Sequence, residues 1–207
     1  MANGIGINDI SSFHLDVLKE IGNIGAGNAA TALAKMLDKR IEMKVPQIRV
    51  MRFTEVSDVL GGAETEVVGI LLGVQGDITG NILFVLDLQS ARLLVNILMG
   101  RSADEVIEFD DMTCSALMEV GNILSGSYLS ALSNLTNLKI MADVPGLAID
   151  MAGAILSVPA IEFGKSSDTV LYIENEFTYG KDSVIGDFFL VPDEISYGRL
   201  LSALGVA

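Results

Sequence analysis

The sequence predicts an α+β fold: a single pseudo-twofold domain made of two helix–strands–helix repeats, with a mainly antiparallel sheet and the two motif helices packed on it. Half of the 207 residues are apolar, which suffices for one sizeable core. A segment of the chain recurs without gaps 99 residues later. Contiguous β-rich hairpins follow each copy, and hairpin strands pair antiparallel. We therefore assign residues 1–207 to one domain, with repeats over roughly 12–100 and 111–205.

The repeat is read directly from two pairs of segments. The first copy is Asp16-Val-Leu-Lys-Glu-Ile-Gly-Asn-Ile-Gly-Ala-Gly27, and the second is Ser115-Ala-Leu-Met-Glu-Val-Gly-Asn-Ile-Leu-Ser-Gly126. A weaker match relates Gly80–Asp87 to Gly186–Asp193, and each of these is followed by a Leu-rich helical pattern, Ala91–Met99 and Ile195–Leu204. Each repeat alone would expose one face of its sheet, so the two should fuse into one body.

In the first repeat, residues 12–37 have apolar residues at helical spacing, and Ser12 is a plausible N-cap because its hydroxyl can accept from a free amide of the first turn. Arg40–Met51 alternates enough to predict one strand. Glu66–Val74 and Asn81–Leu86 are β-rich runs separated by Gly76 and Gly80, which predicts a hairpin.

In the second repeat, residues 111–134 predict the second motif helix. The predicted strands that follow it are Leu138–Ala142, Ala152–Phe163, Thr169–Phe177 and Ser183–Val191. No Pro/Ser-rich linker separates the two repeats, which favours the single domain.

Composition excludes several classes of function. The 13 basic residues are scattered among 27 acidic ones, for a net charge of −14, and this argues against nucleic-acid binding, which needs clustered Lys and Arg. Apolar runs such as Ile82–Leu86 are far shorter than the roughly 20 residues of a membrane helix. Met1–Asp9 has no basic residue and no apolar core, so no secretory signal is recognisable. We expect no membrane insertion and a cytoplasmic location.

Metal and nucleophilic chemistry have few candidate residues. Cys114 and His14 are the only cysteine and histidine, so no intramolecular disulfide can form. A structural zinc site needs about four such ligands. A Ser-His-Asp arrangement would have to use His14, and Cys114 has no second histidine to activate it. We predict that the chain holds no metal.

The repeated motif places its polar residues on one side of a helix. At about 100° per residue, Glu20, Asn23 and Gly27 fall within roughly 40° of Asp16. Ser115, Glu119, Asn122 and Gly126 do the same in the second copy. A solvated Glu is ordinary, but Asn forms helices poorly and each interior Gly costs up to about 1 kcal/mol. Close packing would explain a glycine such as Gly25 on the apolar side. Recurrence of the Glu, Asn and Gly favours a functional face, where a missing side chain lets another protein approach closely.

A phosphate-binding glycine loop is the alternative interpretation of Gly22–Gly27. The glycines are in the wrong order for a dinucleotide fingerprint, and no strand precedes them. The second copy also has Leu124 where the first has Gly25, so we reject this alternative.

The motif (Asp or Ser)-x3-Glu-x2-Asn, duplicated within a chain of this length, resembles the CheC family of chemotaxis phosphatases. The resemblance implies that the chain removes the phosphoryl group from an aspartate of the response regulator CheY. It implies that Asn23 and Asn122 orient the attacking water and that Glu20 and Glu119 pair with a lysine of the CheY active site. Asp16, Gly27, Ser115 and Gly126 would be supporting motif positions. No cofactor is implied on this chain, because CheY itself would hold the Mg²⁺.

The family resemblance also leaves a second function open. The chain could act chiefly as a binding module that docks and regulates the receptor deamidase CheD. Asp150, in the segment Val144–Met151, is the residue that we suspect for this contact, and the alternative is an ordinary carboxylate at the end of a strand.

Overall fold

The structure is a computed structural model that describes residues 12–163 and 169–205. The first repeat contains, in chain order, α1 (Ser12–Leu37), β1 (Glu42–Lys44), β2 (Ile48–Arg52), a 3-10 helix (Phe53–Glu55), α2 (Val56–Val59), β3 (Glu66–Gly76), β4 (Gly80–Asp87) and α3 (Leu88–Met99). The second repeat contains α4 (Asp111–Thr136), β5 (Ile140–Ala142), β6 (Gly146–Met151), α5 (Ala152–Phe163), β7 (Thr169–Tyr179), β8 (Asp182–Pro192) and α6 (Glu194–Ala203). The same order of elements therefore occurs twice, as the sequence repeat predicts.

The described strands form one eight-stranded antiparallel sheet in which the repeats exchange their short strands. The centre is the pair β4–β8, where Phe84 lies opposite Phe188. Outside this pair lie β3 and β7. The short strands β1 and β2 of the first repeat pair with β7, and β5 and β6 of the second repeat pair with β3. The predicted α+β class and antiparallel pairing are confirmed. The extent of a single domain over residues 1–207 stays a prediction.

Each face of the sheet is covered by helices. Alternate residues of a strand point to opposite faces, so Ile82 and Phe84 belong to one apolar cluster and Leu83 and Val85 to the other. The first cluster includes buried residues of α1, α3 and α4. The second includes buried residues of α2 and α5. The two motif helices thus lie on the same face, which fixes their outward sides relative to the sheet.

Three aspartates define where helices begin. The carboxylate of Asp87 accepts a hydrogen bond from the amide of Ser90 at 2.8 Å, and Asp193 accepts from Ser196 at 2.7 Å. These two residues end the weakly matching segments of the two repeats. Asp110 caps α4 by accepting from the amide of Thr113 at 2.8 Å, and this bond lowers the pKa of the Asp110 carboxyl. The side chain of Ser12 lies outside the described residues, so its capping role stays a prediction.

Two predicted strands are wrong. Arg40–Met51 is not one strand, because the segment between β1 and β2 contains Pro46, which has no amide to donate to a neighbouring strand. Ala152–Phe163 is the helix α5, and it buries Ala152, Ile155 and Leu156 against the second face of the sheet.

The strand β6, Gly146–Met151, was not predicted. It pairs with β3 but leaves most of its side chains exposed. Leu147, Ile149 and Met151 alternate with Ala148 and Asp150, so the sequence does carry a short apolar alternation over this strand. No helix in the described ranges 12–163 and 169–205 is both long and apolar enough to cross a membrane.

Candidate functional site

The outward side of α1 carries the first copy of the motif. Asp16, Glu20, Asn23 and Gly27 are all exposed. The helix buries Leu18, Ile21 and other apolar residues of its opposite side against the sheet and α4. A rigid helix, rather than a loop, therefore presents the Glu and Asn, with about 4.5 Å along the axis between them.

The second copy has the same arrangement on α4. Ser115, Glu119, Asn122 and Gly126 are exposed, whereas Leu117, Val120 and Leu124 are buried. The two copies differ at their first position. The hydroxyl of Ser115 donates to the carbonyl oxygen of Asp111 at 2.6 Å, so it is engaged by its own helix, whereas Asp16 is an exposed carboxylate.

The Glu and Asn side chains are available to a partner. Within the described part of the chain, the side chains of Glu20, Asn23, Glu119 and Asn122 make no hydrogen bond and no ion pair. A carboxylate supplies acceptors only, and a neutral amide supplies both a donor and an acceptor. Each pair can therefore bind a cation and orient a small polar molecule at neighbouring points.

The motif glycines fall into two groups with different surroundings. A Cβ atom on Gly22 would lie 2.4 Å from Cδ1 of Ile48, and one on Gly121 would lie 2.7 Å from Cγ2 of Ile70. These glycines allow the helices to pack closely on the sheet. At Gly27 and Gly126 an added Cβ would meet nothing within 4 Å. Packing inside the protein does not explain this second pair, which leaves the surface beside each Glu/Asn pair low and accessible.

A buried tyrosine joins the two motif helices to the sheet, and sequence reasoning missed it. Tyr128 on α4 packs against Gly25 on α1, and its hydroxyl donates to Oδ1 of the buried Asn175 on β7. The amide nitrogen of Asn175 in turn donates to the carbonyl oxygen of Ile173 at 3.1 Å. Burial raises the pKa of Tyr128 well above its usual range, so it acts as a neutral donor. The only signal in the sequence was the mismatch between Gly25 and Leu124.

Asp150 is placed away from the motif faces. It lies on β6, opposite Val67 of β3, at one border of the sheet, and it is exposed. Its carboxylate accepts from the amide of Met151 at 2.7 Å. Ile149 and Met151, beside it in the strand, are also exposed. The structure therefore groups Asp150 with an apolar edge and not with the Glu and Asn residues.

The described residues form no cluster of metal-binding side chains. In residues 12–163 and 169–205, no group of three or more His, Cys, Asp or Glu side chains could hold a metal ion. Whether the chain binds a metal ion is not tested by this geometry, so the absence of a bound metal stays a prediction.

Comparison with known proteins identifies the family. The family model for CheC-like proteins matches residues 13–49 and 112–149, which start with the two motif helices. CheY-P phosphatase CheC of Bacillus subtilis is 35% identical over 204 residues, covering 97% of this chain and 98% of the relative. The chain belongs to the CheC family. The resemblance noted in the sequence is thereby confirmed over nearly the whole chain.

Solved structures extend the family likeness to the fold. FliY of Thermotoga maritima superimposes with a TM-score of 0.75 at 23% identity, over 95% of this CheC-family chain and 98% of that one. CheX in the CheX–CheY–BeF3–Mg²⁺ complex of Borrelia burgdorferi matches with a TM-score of 0.50 at 19% identity, over 82% of this chain and 96% of that one. At these identities the likeness shows a shared fold and carries no residue assignment.

Proposed function

We propose that this CheC-family protein is a phosphatase that hydrolyses the aspartyl phosphate of phosphorylated CheY. The observation that carries the proposal is the pair of exposed Glu/Asn faces, one on α1 and one on α4, in a chain of this family. The name of its Bacillus subtilis relative, CheY-P phosphatase CheC, supports the same substrate. A cytoplasmic location follows from this partner.

In the proposed mechanism, each motif helix enters the active site of one regulator molecule. Glu20 or Glu119 pairs with a regulator lysine and docks the helix. Asn23 or Asn122, one turn further along, holds a water in line with the phosphorus. As the water oxygen bonds to the phosphorus, the phosphorus–oxygen bond to the regulator aspartate breaks, and the products are the free aspartate carboxylate and inorganic phosphate. An amide suits this role because it both donates and accepts and does not titrate. Phosphoryl transfer needs mainly positioning and placement of charge, and the Mg²⁺ that the regulator holds supplies the latter.

The surroundings of the motif support such an insertion. The open surface at Gly27 and Gly126 leaves room for regulator backbone beside the reacting groups. The close contacts of Gly22 with Ile48 and of Gly121 with Ile70 fix both helices against the sheet. Because the helices are held firmly, little ordering is needed at the moment of binding, which favours catalysis by positioning.

The decisive experiment is release of inorganic phosphate from CheY that has been phosphorylated by a small phosphodonor and freed of excess donor. We expect catalytic amounts of this protein to accelerate release well beyond the spontaneous rate of the regulator. An unchanged rate at all protein concentrations, with the protein folded and the regulator fully phosphorylated, would reject the phosphatase function.

A second candidate function, docking of CheD, is supported by the border of the sheet at β6. Val144, Ile149 and Met151 are exposed in the same segment as Asp150, so this border offers apolar side chains along a stretch of chain that also carries a carboxylate. Asp150→Lys should weaken CheD binding in calorimetry and leave phosphate release unchanged. Undiminished CheD binding by this variant would remove Asp150 from the contact.

A further inference from the structure

A large apolar side chain is exposed at the same place before each motif. Phe13 on α1 is 62% exposed, and Met112 on α4 is 67% exposed. Both residues lie seven positions before the motif Glu, and they are separated by the same 99-residue offset as the motifs. Neither residue is part of the Glu/Asn motif, and the proposed mechanism does not use them.

Helix geometry places these side chains on the motif side. Phe13 lies roughly 20° from Glu20 around the helix axis, and Met112 has the same relation to Glu119. The axial separation is about 10 Å to the Glu and about 15 Å to the Asn. Phe13 and Glu20 therefore lie nearly in line along the helix, with Asn23 about 60° further round the axis from Glu20 on the same outward side, and the second copy repeats this arrangement.

Exposed apolar residues are common singly, so one such residue would carry no argument. Here the same property recurs at equivalent positions of two helices whose neighbouring residues have diverged. Asp16 corresponds to Ser115, and Lys19 corresponds to Met118, yet Phe13 corresponds to another large apolar residue. Apolar chemistry, rather than residue identity, has been retained at a solvent-facing position beside the motif.

We propose that Phe13 and Met112 are docking anchors that insert into an apolar depression on the phosphorylated regulator, about 10 Å from the regulator lysine that meets the motif Glu. This inference rests on the proposed function, since the occupant is the same regulator. The contact lies outside the reacting groups and is made equally in the ground and transition states. It therefore raises affinity for the regulator and leaves the chemical step unchanged.

The test isolates one site at a time. Phe13→Ser is made in an Asn122→Ala protein, which retains only the α1 site, and Met112→Ser in an Asn23→Ala protein. The expected result is a rise in KM of about tenfold for phosphorylated CheY with kcat unchanged, because full burial of a side chain the size of Phe or Met in a partner contributes at least that much to binding.

The chain offers matched controls. Met36 and Leu135 are also separated by 99 residues, are 44% and 48% exposed, and lie on α1 and α4 roughly 140° around the axis from the motif Asn. Met36→Ser and Leu135→Ser should leave KM unchanged. If these two control variants lost as much affinity as the anchor variants, any exposed apolar residue replaced by Ser would have the same effect, and the inference would be overturned.

Binding measured without turnover separates this inference from the proposed function. The protein with both motif asparagines changed to Ala is titrated with labelled CheY in its BeF3-activated form, with and without the two Ser substitutions. Weaker binding of the Ser variants supports the anchors even if no parent protein releases phosphate. Equal affinity overturns the anchors and leaves the phosphatase function intact. Loss of a self-associated state on Ser substitution, without loss of regulator affinity, would assign the residues to contacts between copies of this chain instead.

Discussion

A Cβ atom on Gly25 would lie 2.4 Å from Cδ1 of Tyr128, so the tyrosine ring of α4 occupies the space that a side chain on α1 would need. The equivalent residues of the other copies are Leu124 and Ala29, both fully buried. A small residue on one helix thus corresponds to a large one on the other in both pairs. The contact between the two motif helices is therefore asymmetric, because α1 supplies the small residue and α4 the large one at both pairs of equivalent positions.

The Gly25–Tyr128 contact predicts opposite outcomes for neighbouring glycines. Gly25→Ala should lower the free energy of unfolding by about 1–3 kcal/mol, because the added methyl group overlaps a buried ring. Gly27→Ala should be neutral or stabilise by up to about 1 kcal/mol, since its Cβ meets nothing within 4 Å and Ala favours the helix. Urea denaturation of both variants measures this. Equal effects at the two positions would contradict the packing argument.

The polar face of the site was predictable from the sequence because it depends only on local helical geometry. The spacing of Glu20 and Asn23, and its recurrence at Glu119 and Asn122, places each pair on the outward side of its helix in any fold that buries the other side. The Tyr128–Asn175 bond was not predictable in this way. It joins α4 to β7 and depends on a long-range contact that no periodicity encodes.

The errors in the fold have a common cause. Ala152–Phe163 contains β-branched residues and no charge before Glu162, and a short apolar run of this kind looks the same as a buried strand or a buried helix. The exchange of short strands between repeats could not be predicted either. Pairing of β1 with β7 joins residues more than a hundred positions apart. The register that places Met43 opposite Phe177 is set only when the chain folds.

Asp187 predicts a measurable dependence of stability on pH. Burial raises its pKa to about 6, and Glu174 and Asp87 add to the rise, while a hydrogen bond from Tyr172 and the charge of Arg49 oppose it. The folded state therefore binds this proton more tightly than the unfolded state, so the contribution of Asp187 to stability falls as pH rises from about 4 through 6. Asp187→Asn should raise the free energy of unfolding by about 1–3 kcal/mol at pH 7.5, with no gain below pH 4.

The difference between Asp187→Asn and wild type is measured by urea denaturation at each pH, so that the other carboxylates cancel. Tyr172→Phe is the control, because it should strengthen the pH dependence of stability that Asp187→Asn removes. Removing the hydroxyl that donates to Asp187 at 2.8 Å should raise the pKa of this carboxyl further and move the pH window upward. A pH-independent difference for Asp187→Asn would show that the effect is not due to titration.

Glu20→Lys and Glu119→Lys should weaken regulator binding far more than they change folding. Both side chains are exposed, and such surface substitutions usually change stability by within about 0.5 kcal/mol. Opposite a lysine of the regulator, the reversed charge adds repulsion. Glu64→Lys, exposed on a loop, makes the same change in net charge and should leave affinity unchanged. A collapse of the melting temperature with intact affinity would instead make these Glu residues structural.

The purified chain is expected to bind no stoichiometric divalent cation. Its described residues offer no cluster of carboxylates, His or Cys that could hold one. Chelation should therefore stop phosphate release only by removing Mg²⁺ from the regulator, and excess Mg²⁺ should restore the full rate. Elemental analysis after dialysis, together with Mg²⁺ titration of the chain alone, checks this. A tightly held metal that is required for activity would refute it.

The two motif asparagines predict independent sites. Each is assigned to holding the attacking water, and each lies on its own helix in its own repeat. Asn23→Ala should remove the α1 site and leave the α4 site working, and Asn122→Ala the converse. The double substitution should reduce phosphate release to the spontaneous rate of the regulator. Since both side chains are exposed and Ala favours a helix, melting curves should not shift downward.

Binding should largely persist in the double variant, because the motif Glu residues dock the helix and the amide acts mainly in the transition state. This separates loss of chemistry from loss of the complex. The measurements are phosphate release and regulator affinity for wild type, both single variants and the double variant. Near-wild-type turnover by a folded double variant would reject the assignment of the water to the asparagines. Turnover that falls in only one single variant, with no further loss in the double, would mean that a single motif copy is active and that the other has another role.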